Sequence, residues 1–316
     1  MEGPLRYVAS PLVWLPVALA AAAWFTVKYL KPKKRIAGVV SDLYVYPIKS
    51  CHGIACNKVK FLSQGFKYDR RWVVIDQKNS IVNQKQKPTM TLIKTSIRLG
   101  RNGDEDETVV SVNAPGMFEL TLRPLPKKEQ TDENLRIFAN KKVGYDCGPE
   151  AGEWFSKFLE IEGLRVCYLI KRGEANVKRD LPDSMFVKAL DKPAPCLVIT
   201  EASMDNLNRK LNDNLSIIRF RPNLIVKNTE PTPHEEDTWE TFDVGTVTFE
   251  KARKCGRCIM TKIDPDTGIV TGAEPLAKLK TYRQEPGGKE IWFGAYVNVT
   301  QEGVASIGDQ IIVSDK

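Results

Sequence analysis

Turn signals recur every ten residues or so through the first half of this chain, and they leave room for little except short strands. Residues 38–48 (GVVSDLYVYPI) are apolar, β-branched or aromatic and run into a polar turn at 49–53. The pattern returns at 58–62, 71–76, 81–84, 92–99, 108–112, 118–122, 135–138 and 142–145, with polar turns such as NGDEDE (102–107) between. A series of this kind predicts a barrel or sandwich. The second half continues it, with strands expected at 164–170, 196–200 (CLVIT, the unbroken apolar pattern of a buried strand), 220–226, 238–242, 246–251, 258–263, 293–299 and 310–313.

Helices are few. Residues 149–160 place Trp154, Phe155, Phe158 and Leu159 on one face after a proline, a stripe that reads as core packing. A second helix is expected over 201–211 with Thr200 as its N-cap, and a third over 274–282. The fold class expected is therefore α+β, mostly β, around a barrel-like sheet. The proline-bearing stretch 171–195 separates the two halves.

The net charge of +8 raises a nucleic-acid partner. Arg6, Lys28, Lys31, Lys33, Lys34 and Arg35 stand against Glu2 alone in the first 35 residues, so most of the excess lies there. These cations flank residues 7–27 (YVASPLVWLPVALAAAAWFTV), which carry no charge and are long enough to cross a bilayer of about 30 Å as a helix. Basic character beside an apolar span points to a membrane flank and away from nucleic acid. A cleaved signal peptide fits less well, because the strongest charge follows the apolar run. One N-terminal transmembrane anchor is expected, with the KPKKR side and nearly all of the chain in the cytosol.

Seven cysteines in no disulfide-like spacing fit a reducing compartment, and two histidines leave little for a histidine-rich metal site. Cys255 and Cys258, in RKCGRCIMTKIDPDTG (253–268), are exceptional because Arg253, Lys254 and Arg257 surround them. Positive charge favours the thiolate, the form that ligates metals. A buried structural pair preceded by solvated cations is the competing reading, and Cys51, Cys56 and His52 would make a loose second pair for zinc. DPDTG departs from an EF-hand loop, its glycine one position early with no closing glutamate, and reads as a turn. No phosphate-binding glycine fingerprint occurs. Other cations sit at strand ends beside proline or glycine: Lys49 in YPIKS, Arg70 and Arg71 in DRRW, Arg219 and Arg221 in RFRPN. Were several to converge with Arg257 and the Asn223 amide, they would form a pocket for a multiply charged anion such as a phosphate.

YPIKS (46–50), DRRW (69–72), FRPN (220–223), CGRC with DPDTG (255–268) and FGAY (293–296) occur in an order and spacing that resemble the MOSC-domain proteins, and among them the membrane-anchored reductases of N-hydroxylated compounds. The resemblance covers nearly the whole chain from about Val39. It implies a MOSC β-barrel domain (169–316) packed with a β-rich MOSC N-terminal domain (36–168), preceded by the anchor (1–35). It implies a molybdenum–molybdopterin cofactor, with Cys258 as the metal's thiolate ligand and the catalytic residue. Lys49, Ser50, Arg70, Arg221, Asn223 and Arg257 would then hold the pterin and its phosphate, and Tyr296 would lie near it. Gly256 stands where some relatives carry a hydroxyl residue and Pro193-Ala194 where relatives offer Thr-Ser, so Gly256 and Ala194 would make contact through the main chain. The reaction implied is two-electron reduction of amidoximes, hydroxylamines and N-hydroxylated bases, with electrons from cytochrome b5 and NADH-cytochrome b5 reductase. The location implied is the mitochondrial outer membrane, with peroxisomal and endoplasmic reticulum membranes as alternatives. A monomer is expected. The alternatives are a carrier bearing a persulfide on Cys258 and a zinc-binding adaptor.

Overall fold

The computed structural model describes residues 34–63, 65–100, 108–123, 133, 135–137, 143–170 and 196–314. The expected membrane span and Ala194 lie outside these residues. Among the described residues no helix is long and apolar enough to cross a membrane.

The first half runs through β1 (Lys34–Val45), β2 (Ile54–Cys56), β3 (Lys58–Leu62), β4 (Gly65–Phe66), β5 (Trp72–Ile75), β6 (Lys94–Arg98), β7 (Val109–Asn113), β8 (Leu120–Leu122), β9 (Leu135–Ile137), β10 (Val143–Asp146), helix α1 (Pro149–Leu159) and β11 (Arg165–Leu169). The second half holds β12 (Cys196–Thr200), helix α2 (Glu201–Leu211), β13 (Leu224–Asn228), β14 (Thr241–Val244), β15 (Val247–Gly256), helix α3 (Leu276–Arg283), β16 (Trp292–Gln301), β17 (Gly303–Ser306) and β18 (Gln310–Ser314). The mostly-β expectation is met.

Seven strands close a barrel in the order β13-β12-β16-β15-β14-β18-β1, the ring completed by β1 pairing with β13, while β2 extends from β1. The two halves are thus not successive units along the chain. A division at 168/169 assigns β1 to the first half, yet β1 is a stave of the barrel that the second half builds. Its register shifts against both neighbours, β18 and β13, and such bulges let one strand bend around the curve. The barrel interior is filled by Val40, Leu43, Val198, Val226, Phe242, Phe249 and Val297. Leu197 and Ile199 alternate with the interior residues of β12 and face outward, and register shifts between β15 and β16 turn Cys255 and Phe293 to the same outer side, where the four form a separate core with Met204 and Leu207 of α2 and Leu279 of α3. This explains the unbroken CLVIT pattern: β12 is covered on both faces and every residue in it is buried. Thr200 caps α2 as expected, its hydroxyl accepting from the Ser203 N–H.

The first half has its own core. The sheet β5-β11-β10-β9 and the sheet β6-β7-β8 enclose Ile48, Trp72, Val112, Tyr145, Trp154 and Phe155. Val45 belongs to the barrel core and Ile48 to the other, so residues 46–48 carry the chain from one core to the next.

Three local expectations are corrected. Residues 81–84 make a single bridge, Ile81 to Ile75, and no strand. The expected strand 220–226 begins only at Leu224, because Arg221 is left-handed (φ 55°) and Pro222 has no N–H to give a ladder. The expected strand 258–263 is a 3₁₀ turn, Ile259–Lys262: the last ladder pair of β15 is Gly256 with Trp292, and Thr261 then bonds back to the Cys258 carbonyl through N–H (3.1 Å) and hydroxyl (3.0 Å).

Candidate functional site at the seam between the two cores

The residues linking the cores bring distant arginines together. Tyr46 leaves β1 fully buried, and the guanidinium carbons of Arg70 and Arg221 rest 4.7 and 4.2 Å from its ring centre. Arg70 pairs with Asp69 and donates to Asn223 Oδ1 at 3.2 Å. Asn223 is 1% exposed and uses its whole amide. Its Nδ2 donates to the Tyr44 carbonyl (3.0 Å) and Asp69 Oδ1 (3.3 Å), and its Oδ1 also accepts from the Leu197 N–H (3.2 Å). Arg221 reaches across the seam to the Cys51 carbonyl at 2.7 Å, which fixes the turn holding Ser50. Burial pulls the Arg221 guanidinium down to about 10, opposed by the Tyr46 phenol and helped by the Arg70 charge, so it remains a cation at neutral pH.

The 253–268 stretch enters from the other side. Arg257 donates through Nε to the Phe293 carbonyl (2.7 Å) and through Nη1 to the Phe220 carbonyl (3.0 Å), with its guanidinium over the Phe220 ring. Phe220 precedes Arg221, so one peptide joins the two arginine sites. Gly294 makes room: it is left-handed (φ +76°), and a Cβ there would meet the Val198 carbonyl and Ile199 Cγ1 at 2.7 Å and Arg257 Nη2 at 3.2 Å. Cys258 follows Arg257 at the head of the 3₁₀ turn and is partly exposed.

Of the three cations around the thiols, Arg253 instead stacks on the Tyr296 ring at 4.6 Å. Cys255 is buried, its thiol 3.8 Å from the Gly256 carbonyl. Tyr296 borders the site, where burial, with Cys255 adding to it, pushes its phenol up to about 12. It therefore stays protonated and able to donate at neutral pH.

Arg70, Arg221, Asn223, Arg257 and Ser50 are thus brought into one cluster with Tyr296 at its edge. Lys49 is exposed on its surface, its N–H bonded to the Trp72 carbonyl at 2.8 Å. Gly256 ends β15 against the Glu290 carboxylate, which a Cβ there would meet. Tyr46, Asp69, Phe220 and Phe293 were not singled out from sequence. All four lie inside the quoted motifs, but nothing in a motif tells a ring that supports arginines from one that fills a core.

The MOSC N-terminal beta barrel domain model matches residues 37–162 and the MOSC domain model matches residues 188–312. Mitochondrial amidoxime reducing component 2 of Bos taurus is 33% identical, over 87% of this chain and 82% of its own length. The chain belongs to the MOSC-domain family. Among its relatives, mitochondrial amidoxime reducing component 2 of Homo sapiens is 32% identical over 94% of this chain and 92% of its own length. Mitochondrial amidoxime-reducing component 1 of Danio rerio is 33% identical over 90% of this chain and 88% of its own.

In this MOSC-domain protein the polar chemistry of the site is left unfinished. Ser50 Oγ, Arg221 Nη2 and Arg257 Nη2 are buried with no hydrogen-bond partner among the described residues. A buried unsatisfied donor costs about 1–3 kcal/mol, more when charged. One is on Arg221 itself, and the other two stand one link away, Ser50 beside the Cys51 carbonyl that Arg221 holds and Arg257 through the Phe220 carbonyl, so the set suits an anionic group. Four non-glycine residues here and beside it, Ser50, Tyr68, Arg70 and Arg221, hold left-handed φ angles of 52–73°. Strain of this kind persists where the surroundings impose it and gathers at functional sites. No group of three or more His, Cys, Asp or Glu side chains that would hold a metal ion occurs among the described residues.

Proposed function

We propose that this protein is a molybdenum-dependent oxidoreductase that reduces N-hydroxylated compounds, amidoximes and hydroxylamines among them, to amidines or amines. The observation that carries the reading is the set of orphaned donors, Ser50 Oγ, Arg221 Nη2 and Arg257 Nη2, beside a partly exposed thiol. The names of the relatives support the same reaction class.

Arg221, Arg257 and Ser50 would hold the cofactor's phosphate, Arg70 would add charge, and Asn223 would keep Arg70 and the Leu197 main chain in place. Lys49 would reach in from the surface, Gly256 and Ala194 would contact the cofactor through their main chains, and Cys258 would be the thiolate ligand of molybdenum. When bound, the cofactor supplies the two-electron chemistry, which no side chain of the site offers. The balance is one N–O bond broken, two electrons and two protons taken up, and water released. Tyr296 keeps a proton at its hydroxyl at neutral pH and would orient an incoming hydroxylamine oxygen. Cytochrome b5 and its NADH-dependent reductase would return the electrons. Anchorage through residues 7–27 in the mitochondrial outer membrane would raise the effective concentration of these membrane-bound carriers.

The test uses the full-length chain from a host that makes the cofactor, with an amidoxime, NADH, cytochrome b5 and its reductase, and amidine formation as the readout. Turnover that disappears in Cys258→Ser is expected. A chain loaded with cofactor that forms no amidine, with these carriers or with a chemical reductant, contradicts the proposal.

A further inference from the structure

Tyr46 is tied at every polar atom either to one of the two arginines that rest on it or to a residue adjoining one. Its N–H donates to Asp69 Oδ1 at 2.7 Å and its carbonyl accepts from the Arg70 N–H at 2.6 Å. Its hydroxyl donates to the Pro222 carbonyl at 3.0 Å, directly after Arg221. Its ring carries both guanidinium groups. Both arginines are left-handed, φ 52° and 55°, a conformation non-glycine residues seldom keep unless neighbours hold them there.

Two guanidinium groups this close repel one another, and Asp69 makes its direct ion pair with Arg70, leaving Arg221 only a weaker, longer-range attraction. A second carboxylate would settle the pair but cancel the charge available to an anion. An aliphatic side chain would seat neither cation. An aromatic face attracts both and carries no net charge of its own. The room for this ring is reserved by Gly53, where a Cβ would meet Tyr46 Cε1 at 2.5 Å and Cδ1 and Cζ at 3.0 Å.

We propose that Tyr46 is the positioning residue of an anion clamp formed by Arg70 and Arg221, holding the two guanidinium groups at a set spacing while leaving their charge for the ligand. This rests on the reading of the site as the seat of an anionic cofactor, and it assigns the ring, rather than the hydroxyl, the main part.

The probe is inorganic pyrophosphate, titrated calorimetrically into the cofactor-free full-length chain in mild detergent, with the melting temperature followed in parallel. Wild type binds, more weakly as salt rises. Tyr46→Phe keeps the ring and most of the affinity. Tyr46→Leu, and Gly53→Ala, which presses on the ring without touching a charge, each lose about tenfold. A merely structural tyrosine would lower the melting temperature of Tyr46→Leu and leave pyrophosphate affinity unchanged in the variants that fold. Wild type that fails to bind pyrophosphate overturns the anion-site reading and the proposal with it. Wild type that binds while Tyr46→Leu binds equally well overturns the assignment of Tyr46 alone. If Tyr46→Leu does not fold, Gly53→Ala decides against Tyr46→Phe: loss in the first with retention in the second supports the clamp, and equal affinity refutes it.

Discussion

Behind the site, Glu236 gives the fold a pH dependence whose size follows from its surroundings. It lies on the turn Glu235–Asp237, 1% exposed, against the cap of α2. Thr200 Oγ1 lies 2.9 Å from its Oε2, and Ser203 Oγ lies 2.9 Å from both its oxygens while accepting the His234 N–H at 2.8 Å. Burial raises the carboxyl from 4.5 to about 7, against the pull of the two hydroxyls and its own N–H. The folded protein therefore holds this proton more tightly than the unfolded chain. The associated stability is fully present below pH 4.5 and is lost as pH rises through about 7. At 1.36 kcal/mol per unit the loss by pH 8 is roughly 3 kcal/mol. Glu236→Gln keeps the shape, cannot ionise, and offers an N–H where the acid offers O–H. At pH 5 the variant and wild type should unfold within about 1 kcal/mol of each other. At pH 8 the variant should be the more stable by roughly 3 kcal/mol, a melting point higher by about 6–12 °C. Thermal unfolding followed by near-UV circular dichroism at the two pH values reads this directly. A difference that does not change with pH, or a variant less stable at pH 8, refutes the reasoning.

Three further outcomes follow from the geometry. Asn223→Ala leaves the Tyr44 carbonyl and the Leu197 N–H unsatisfied inside the protein, so it should cost roughly 3 kcal/mol in thermal unfolding and reduce cofactor retention on gel filtration. Removing residues 1–33 spares β1, whereas removing 1–40 strips the buried Ala37 and Val40 and the pairing with β18; the first chain should be soluble and cooperative in melting, the second aggregated. Gly294→Ala forces a side chain into a left-handed residue against the Val198 carbonyl, and should lower stability by more than about 2 kcal/mol together with cofactor content.

What the sequence made legible was mostly local. The expected strand 246–251 marked the start of β15, while the one expected at 238–242 overlaps β14 only at Thr241 and Phe242; the unbroken CLVIT marked a strand covered on both faces, and Thr200 announced its helix. The closure of the barrel by β1 was not legible, because no local periodicity tells which of many strands will pair across the length of a chain; the Tyr44–Asn223 bond spans 179 residues. The structure brings together Arg70, Arg221, Asn223 and Arg257, which motif order had grouped but could not rank. Lys49 lies on the surface, Arg253 turns away onto Tyr296, and the 3₁₀ turn after Cys258 replaces the strand that Ile259, Met260 and Ile263 had implied. The unpartnered donors could be found only once the partners of every other polar group had been accounted for.

The central claim is that the orphaned donors and Cys258 hold a molybdenum cofactor. It is tested most directly by the molybdenum and pterin content of the full-length chain purified from a cofactor-producing host, wild type beside Cys258→Ala. About one molybdenum and one pterin per wild-type chain, with molybdenum lost or readily washed out of the variant, is the result predicted. Zinc in place of molybdenum, or wild-type chain that carries neither metal nor pterin, would contradict it.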